Sequence, residues 1–314
     1  MMQQIGPTFD DLQHKVKSIT GTEIALPDHI GAFDQNVESW VLKFLNEEFT
    51  GTVWCEYIFD QQIKEKYSNL DLRFSLDLWL QNNYIKEFEE YNIHPERNLK
   101  NFLCTFNGGR HVSRKLLTAI TERFNWFKID YSTKNFIFNQ DEIYGHVDEN
   151  VHALEQFYNK FFKVSDQFAN QMYGLDYTRF DHKHNINVLS LPITESFIHI
   201  VSETMATSFY PFITEKFLYS VSNRGLFLAY AQPGWHAQLE NVFGFKPFKI
   251  FDYKFDSIAN PIVRIVELFT MISKFSILDI EDWNDLYQME FDTIEYNYDH
   301  FYSGNYKKCL ENIA

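Results

Sequence analysis

Cysteine, glycine and proline are all in short supply in this chain. Its three cysteines, Cys55, Cys104 and Cys309, are unevenly spread over 314 residues. With no CxxC pair and no Cys/His cluster at zinc spacing, a structural zinc is not expected. An odd, low count fits a reducing compartment, so the expected location is the cytoplasm. Twelve glycines and eight prolines leave little material for long linkers. Positive charge is also scarce: the formal net charge is −15, which disfavours binding nucleic acid by bulk charge and serves solubility. No window approaches a membrane-spanning apolar run. The first residues, "MMQQIGPTFDDLQHKVKS", lack the apolar stretch of a signal peptide. Neither GxGxxG, nor a Walker sequence, nor an Asp-x-Asp metal box occurs.

What is abundant is aromatic and apolar surface. Thirty-two Phe and eighteen Tyr, with hydrophobic residues at 45%, predict dense cores. The length exceeds what one core usually supports, so two domains or one large α/β unit is expected. Residue patterning predicts a helix in "TFDDLQHKVKSI", a strand in "TEIALPD", a helix in "NVESWVLKFLNEEF" and a strand in "GTVWCEYIF". A further strand is read in "LRFSLDLWL", with Phe74, Leu76, Leu78 and Leu80 on one face, then a charged helix in "YIKEFEEYNI". "NFLCTF", "NGG" and "SRKLLTAITERF" form a strand–turn–helix unit in which Ser113 is the expected cap. A domain boundary is placed just before it. After a mostly helical stretch, "DYTRFDHKHNIN" reads as a polar loop whose "DHKH" is a weak metal candidate. Next come strand "SFIHIVSET", helix "TEKFLYSVSN", strand "LFLAYA", helix "WHAQLENVF" and long helix "NPIVRIVELFTMISKF". This βαβα alternation predicts a parallel, Rossmann-like sheet. The tail is read as helix, break, helix.

Three clusters can carry chemistry. In "FNGGRHVSRK", Arg110, His111 and Arg114 surround a helix start, where guanidinium groups can hold phosphate oxygens; the plain alternative is a turn with solvated basic residues. In "SET" and "FITEK", Ser202, Glu203 and Thr204 end a strand, and Thr214, Glu215 and Lys216 open the next helix. A Glu can hold ribose hydroxyls and a Lys can neutralise a leaving diphosphate, although Thr214 as cap with Glu215 in the first turn is also an ordinary helix start. In "FDYKFDSIANPIVRI", Asp252, Asp256 and Arg264 are more simply turn or cap residues. General-base candidates in the first part of the chain are Asp10, Asp11, Glu56 and Asp60, chosen only by position near element ends.

Taken in order, "NFLCTFNGGRHVSRKLL", "SFIHIVSET", "FYPFITEKFLYSVSNRGLFLAYAQPGWHAQLENVFGFKPF" and "FDYKFDSIANPIVRI" resemble a group of phage and bacterial glycosyltransferase-like proteins. The TEK box is also similar to that in the donor-binding domain of α1,3-fucosyltransferases. The resemblance spans roughly residues 99–275. It departs from the pattern where the helix continues "TEKFLYSVSN", without the group's basic residue and proline, and where Ser202, Glu203 and Thr204 replace a strand-end Asn. Donor sugar and base therefore stay open.

The resemblance implies an α/β fold of GT-B type, with two Rossmann-like domains facing across a cleft. The expected division is an acceptor-side domain over 1–98, a nucleotide-sugar-binding domain over 99–285 and bracing helices over 286–314. Arg110 and Arg114 would touch donor phosphates, Glu203 would sit beside the sugar or ribose, Glu215 would hold the ribose and Lys216 the pyrophosphate, with Glu203 and Lys216 as the catalytic pair. Cationic groups would replace a metal, and no resident cofactor is implied beyond the nucleotide-sugar co-substrate. The implied activity is hexosyl or pentosyl transfer to an acceptor hydroxyl, on a modified base in DNA (in a host cytoplasm if a phage encodes the chain) or on a glycan. The rival is a non-catalytic binding or assembly module on the same fold.

Overall fold

The computed structural model describes residues 3–4, 21–26, 40–55, 57–59, 61–75, 88, 90, 96–106, 112–123, 149–161, 182–203, 206, 211 and 213–311. They form an α/β protein with two parallel sheets. The first has the order β1 (Gln3–Gln4), β2 (Glu23–Leu26), β3 (Gly51–Cys55), β4 (Leu70–Phe74). Helix α1 (Trp40–Glu48) connects β2 to β3, and α2 (Gln61–Lys66) connects β3 to β4. Pairing is parallel throughout, with Ile24 opposite Val53 and Val53 opposite Leu72. β4 alternates buried Leu70, Leu72 and Phe74 with exposed Asp71 and Arg73, the pattern of a strand wet on one face. Val41, Leu42 and Leu45 of α1 join Ile24, Val53 and Leu72 in one buried cluster.

The second sheet has the order β5 (Asn101–Thr105), β6 (Ser196–Ser202), β7 (Leu226–Tyr230), again all parallel. Every residue of these strands is buried. A parallel strand covered on both faces needs such a continuous run. Helices α3 (Val112–Arg123), α4 (Glu149–Phe161) and α5 (His182–Glu195) lie between β5 and β6 in the chain, and α6 (Lys216–Ser222) between β6 and β7. Then follow α7 (Trp235–Asn241), a 3-10 turn (Tyr253–Ser257), α8 (Pro261–Ser273), α9 (Ile280–Met289), α10 (Phe291–Tyr302) and α11 (Asn305–Glu311). This core is largely aromatic: Phe197 stacks on Trp283 at 6.0 Å, and Phe217 meets Phe245 edge-on at 5.2 Å. Through Trp283, α9 packs on β5 and β6. Both strand orders are sequential, so the reversal that marks a doubly wound sheet does not occur among the described strands.

Several elements differ from the sequence expectation. β4 runs over Leu70–Phe74 rather than 72–80; residues 76–80, the helix expected at 8–19 and most of "YIKEFEEYNI" lie outside the described residues. Helix α2 was not expected, being six residues long. The polar loop expected over 176–187 gives way at His182 to α5, which carries Pro192 inside it. Its buried Ile186, Leu189 and Ile193 keep helical spacing, but the proline and the polar first turn mask the pattern. Helix α3 starts at Val112, so Ser113 lies within the first turn rather than at the cap. The tail holds three helices, not two.

His199 lies in the central strand β6, 3% exposed, with its Nδ1 hydrogen-bonded to the Ser220 hydroxyl and its ring 4.8 Å from that of Phe106. Burial pushes its pKa down to about 3. The folded state therefore keeps it neutral while the unfolded chain takes up a proton below about pH 6.5. Its contribution to stability is intact above that pH and is lost progressively toward pH 3, by up to about 1.4 kcal/mol per pH unit. Urea unfolding at pH 7.5 and 5.5 should show a loss that His199→Asn reduces. Equal losses in both proteins would refute the assignment.

Candidate functional site

In a parallel sheet all strands end on one edge, and the residues just past those ends form its binding surface. Glu203 follows β6 directly, and its N–H donates to Tyr230 O at 3.1 Å, which holds it to the sheet. Its side chain is fully buried. Oε1 accepts from the Thr214 N–H at 3.0 Å, and Oε2 accepts from the Thr214 hydroxyl. Lys216 Nζ donates to Thr214 Oγ1 at 2.8 Å and lies 3.9 Å from Glu203 Oε2 and 3.5 Å from Glu215 Oε1. The Thr214 hydroxyl thus gives its proton to the carboxylate and receives one from the ammonium. Burial pushes the Glu203 pKa up, opposed by the charge of Lys216 and the two Thr214 hydrogen bonds.

Thr214 was expected to cap the helix. Instead α6 starts at Lys216, Glu215 occupies the cap position without a side-chain cap bond, and the Lys216 N–H reaches Thr214 Oγ1 only at 3.5 Å. The competing partner is Glu203, whose buried oxygens need donors more than the helix end does. Glu203 was expected beside a sugar or ribose. The structure puts it beneath Thr214 with both oxygens engaged, so it acts on anything bound here through Thr214 and Lys216. The Lys216 and Glu215 side chains are 23% and 17% exposed at the rim. Arg114 is buried in the first turn of α3, with Nη2 3.5 Å from Ser202 O, one residue before Glu203. Arg114, Glu203, Thr214, Glu215 and Lys216 are therefore gathered on one edge. Arg110, His111 and Thr204 lie outside the described residues, as do Asp10, Asp11, Glu56 and Asp60.

A cleft of about 610 Å³ adjoins this edge. One wall carries Ile58 and Phe59, which follow β3 of the first sheet. The other carries Pro233, Gly234 and the α7 residues Gln238 and Asn241, past the end of β7, together with Pro211 from the loop that leads to Thr214. The carboxyl ends of both sheets thus contribute to one opening. Gly234 turns the chain with φ of 78°, a left-handed conformation that favours glycine. No residue lining the cleft is charged, among those described. A second recess of about 260 Å³ shares Ile58 and Phe59 and adds Lys64, Asp71 and Arg73, the last two ion-paired at 2.8 Å. Sequence reasoning missed both, because neither Ile58 nor Gln238 carries a motif.

The rim is braced by buried polar groups. The Asp256 carboxylate accepts from the His236 N–H and the Ala237 N–H, each at 3.1 Å, and from His236 Nδ1 at 2.7 Å. His236 Nε2 accepts from the Ala229 N–H at 3.0 Å, which places the ring proton on Nδ1. Burial pushes the Asp256 pKa up, but the hydrogen bonds from the His236 ring and from the His236 and Ala237 N–H groups outweigh it and hold the group below its ordinary value. Asp252 caps the 3-10 turn, so both aspartates take the plain structural role. Arg264, 2% exposed, donates to the carbonyls of Ala231, Ala206 and Ala259 at 2.8, 2.6 and 3.0 Å, and to that of Ile258. It ties together three loops of the edge.

These features define a class: a parallel α/β protein with a charged, half-buried cluster and an uncharged cleft at its carboxyl edge. Comparison with protein-family models, with curated proteins and with solved structures finds no match for this chain. Among the described residues no helix is long and apolar enough to cross a membrane, and no group of three or more His, Cys, Asp or Glu is placed to hold a metal ion.

Arg264→Ala strips the donor from the carbonyls of buried Ala206 and Ala231, half-buried Ile258 and exposed Ala259. The expected loss is about 3 kcal/mol or more in urea unfolding. A loss below about 1 kcal/mol would show that water or neighbouring groups satisfy those carbonyls equally well.

Proposed function

We propose that this protein is a glycosyltransferase of GT-B type, moving a hexosyl or pentosyl group from a nucleotide sugar to an acceptor hydroxyl. The observation that carries this reading is the Lys216 ammonium, held by Thr214 on a buried Glu203 at the carboxyl edge of β6, beside a cleft to which both sheets contribute. The acceptor oxygen forms a bond to the anomeric carbon, and the bond from that carbon to the β-phosphate oxygen breaks. The nucleoside diphosphate departs with the electron pair, and Lys216 and Arg114 meet the developing negative charge. The hydroxyl proton passes to a base on the first-sheet side. Glu203 fixes Lys216 without needing to touch the sugar. Glu215, ion-paired to Lys216, holds the ribose in this reading. The net charge of −15 favours a glycan or small hydroxyl acceptor over a modified base in DNA.

A second reading, a non-catalytic nucleotide-sugar-binding module, is favoured by one feature: the cleft lining offers no titratable side chain among the described residues. Calorimetry with UDP-, ADP- and GDP-sugars, followed by assay of released nucleoside diphosphate, separates the two. Binding with slow hydrolysis or transfer supports the enzyme; binding with neither supports the module; no binding to any defeats both. Lys216→Ala should weaken nucleoside diphosphate binding about tenfold to a hundredfold, the range for a lost charge-assisted hydrogen bond. Unchanged affinity would reduce Lys216 to a helix-start residue.

A further inference from the structure

We infer that the 260 Å³ recess beside the cleft is a subsite for an anionic group of the acceptor, held by Lys64 and Arg73, so that the acceptor is a sugar phosphate or a sugar acid rather than a neutral glycan. The inference rests on the glycosyltransferase reading above and adds the chemical class of the acceptor. The recess lies along the last residues of β4, with Ile58 and Phe59, which follow β3, on its wall. Ile58 and Phe59 also line the 610 Å³ cleft, so one molecule can reach from the recess into the cleft. The recess is smaller than a whole small-ligand pocket, roughly 300–1,000 Å³, and suits one end of such a molecule. Its charged lining is two cations, Lys64 and Arg73, against one carboxylate, Asp71, in a chain whose formal net charge is −15. The cleft offers an anion no counter-charge among its described residues; the recess does.

The charged groups are arranged to leave donors free. Asp71 Oδ2 accepts from Arg73 Nε at 2.8 Å and from the Thr52 hydroxyl at 3.2 Å. That contact uses only the Nε side of the guanidinium, whose carbon lies 5.9 Å from the centre of the Trp54 ring. Neither Nη group of Arg73 is hydrogen-bonded among the described residues. Together they form a fork that matches two oxygens of a carboxylate or phosphate. Lys64 has no hydrogen bond or ion pair among the described residues, so its three donors are also available. Leu72 and Phe74 join Ile58 and Phe59 as the apolar part of the lining, which suits the carbon skeleton of a sugar. Lys64 is exposed, and the Arg73 side chain is 49% exposed. An anion therefore reaches them without burying a charge, and each contact is modest and screened by salt.

The test is calorimetry of the full chain with glucose 6-phosphate, glucuronate, glucose and inorganic phosphate, using Lys64→Ala, Arg73→Gln and the double variant. Glucose 6-phosphate or glucuronate is expected to bind about tenfold more tightly than glucose at low salt, and the tighter of the two identifies the anionic group. Each single variant should weaken that sugar about threefold, and the double variant should bring it to the level of glucose. Glucose binding as tightly as both anionic sugars, a preference indifferent to Lys64 and Arg73, or no binding of any sugar overturns the assignment. Inorganic phosphate binding as tightly as glucose 6-phosphate overturns it as well, because the recess would then hold a free anion and not an acceptor. UDP, ADP and GDP titrated into the same samples keep the two readings apart. Lost anion preference with a nucleoside diphosphate still bound defeats the acceptor assignment alone. No nucleoside diphosphate binding defeats the transferase reading, and an intact anion preference would then leave a sugar-anion site without a donor.

Discussion

A carboxylate carried into a protein interior must find donors or a counter-charge, and Glu203 at the end of β6 is fully buried. Its needs organise the edge of the second sheet. The loop after β6 returns so that Thr214 can offer both its N–H and its hydroxyl, and Lys216 follows two residues later to complete the arrangement. Thr214 gives up ordinary capping to do this, which leaves Glu215 at the cap position of α6 without a side-chain cap bond. Arg264 poses the opposite problem. Its buried guanidinium is met by backbone carbonyls rather than an acid, and those carbonyls belong to the loops that must stay in place for the cleft to have a shape.

The consequence is a division of labour along one edge. Positive charge is concentrated at Lys216 and Arg114, while the neighbouring cleft between Ile58 and Pro233 carries none. On the side of the first sheet, the smaller recess gathers Lys64, Asp71 and Arg73.

How much of this was visible in the sequence depended on whether the signal was local. β5, β6 and β7 were legible because a doubly covered parallel strand is a continuous apolar run, as in "SFIHIVS". α8 was legible from Asn260 and Pro261, which cap and start it as sequence rules predict. α5 was not, since Pro192 interrupts an otherwise regular face of Ile186, Leu189 and Ile193. The placement of Glu203, Thr214 and Lys216 at the carboxyl edge was legible, but their mutual contacts were not, because the Glu203–Thr214 contact joins residues eleven apart across a loop. The cleft was invisible for the same reason: Phe59 and Gln238 come to line one opening only after both sheets have formed.

The most direct measurement is a crystal structure of the protein with a bound nucleoside diphosphate. The β-phosphate is expected within hydrogen-bond reach of Lys216 Nζ, with Glu203 still bonded to Thr214. A diphosphate bound elsewhere, or one that leaves Lys216 and Thr214 untouched, would contradict it.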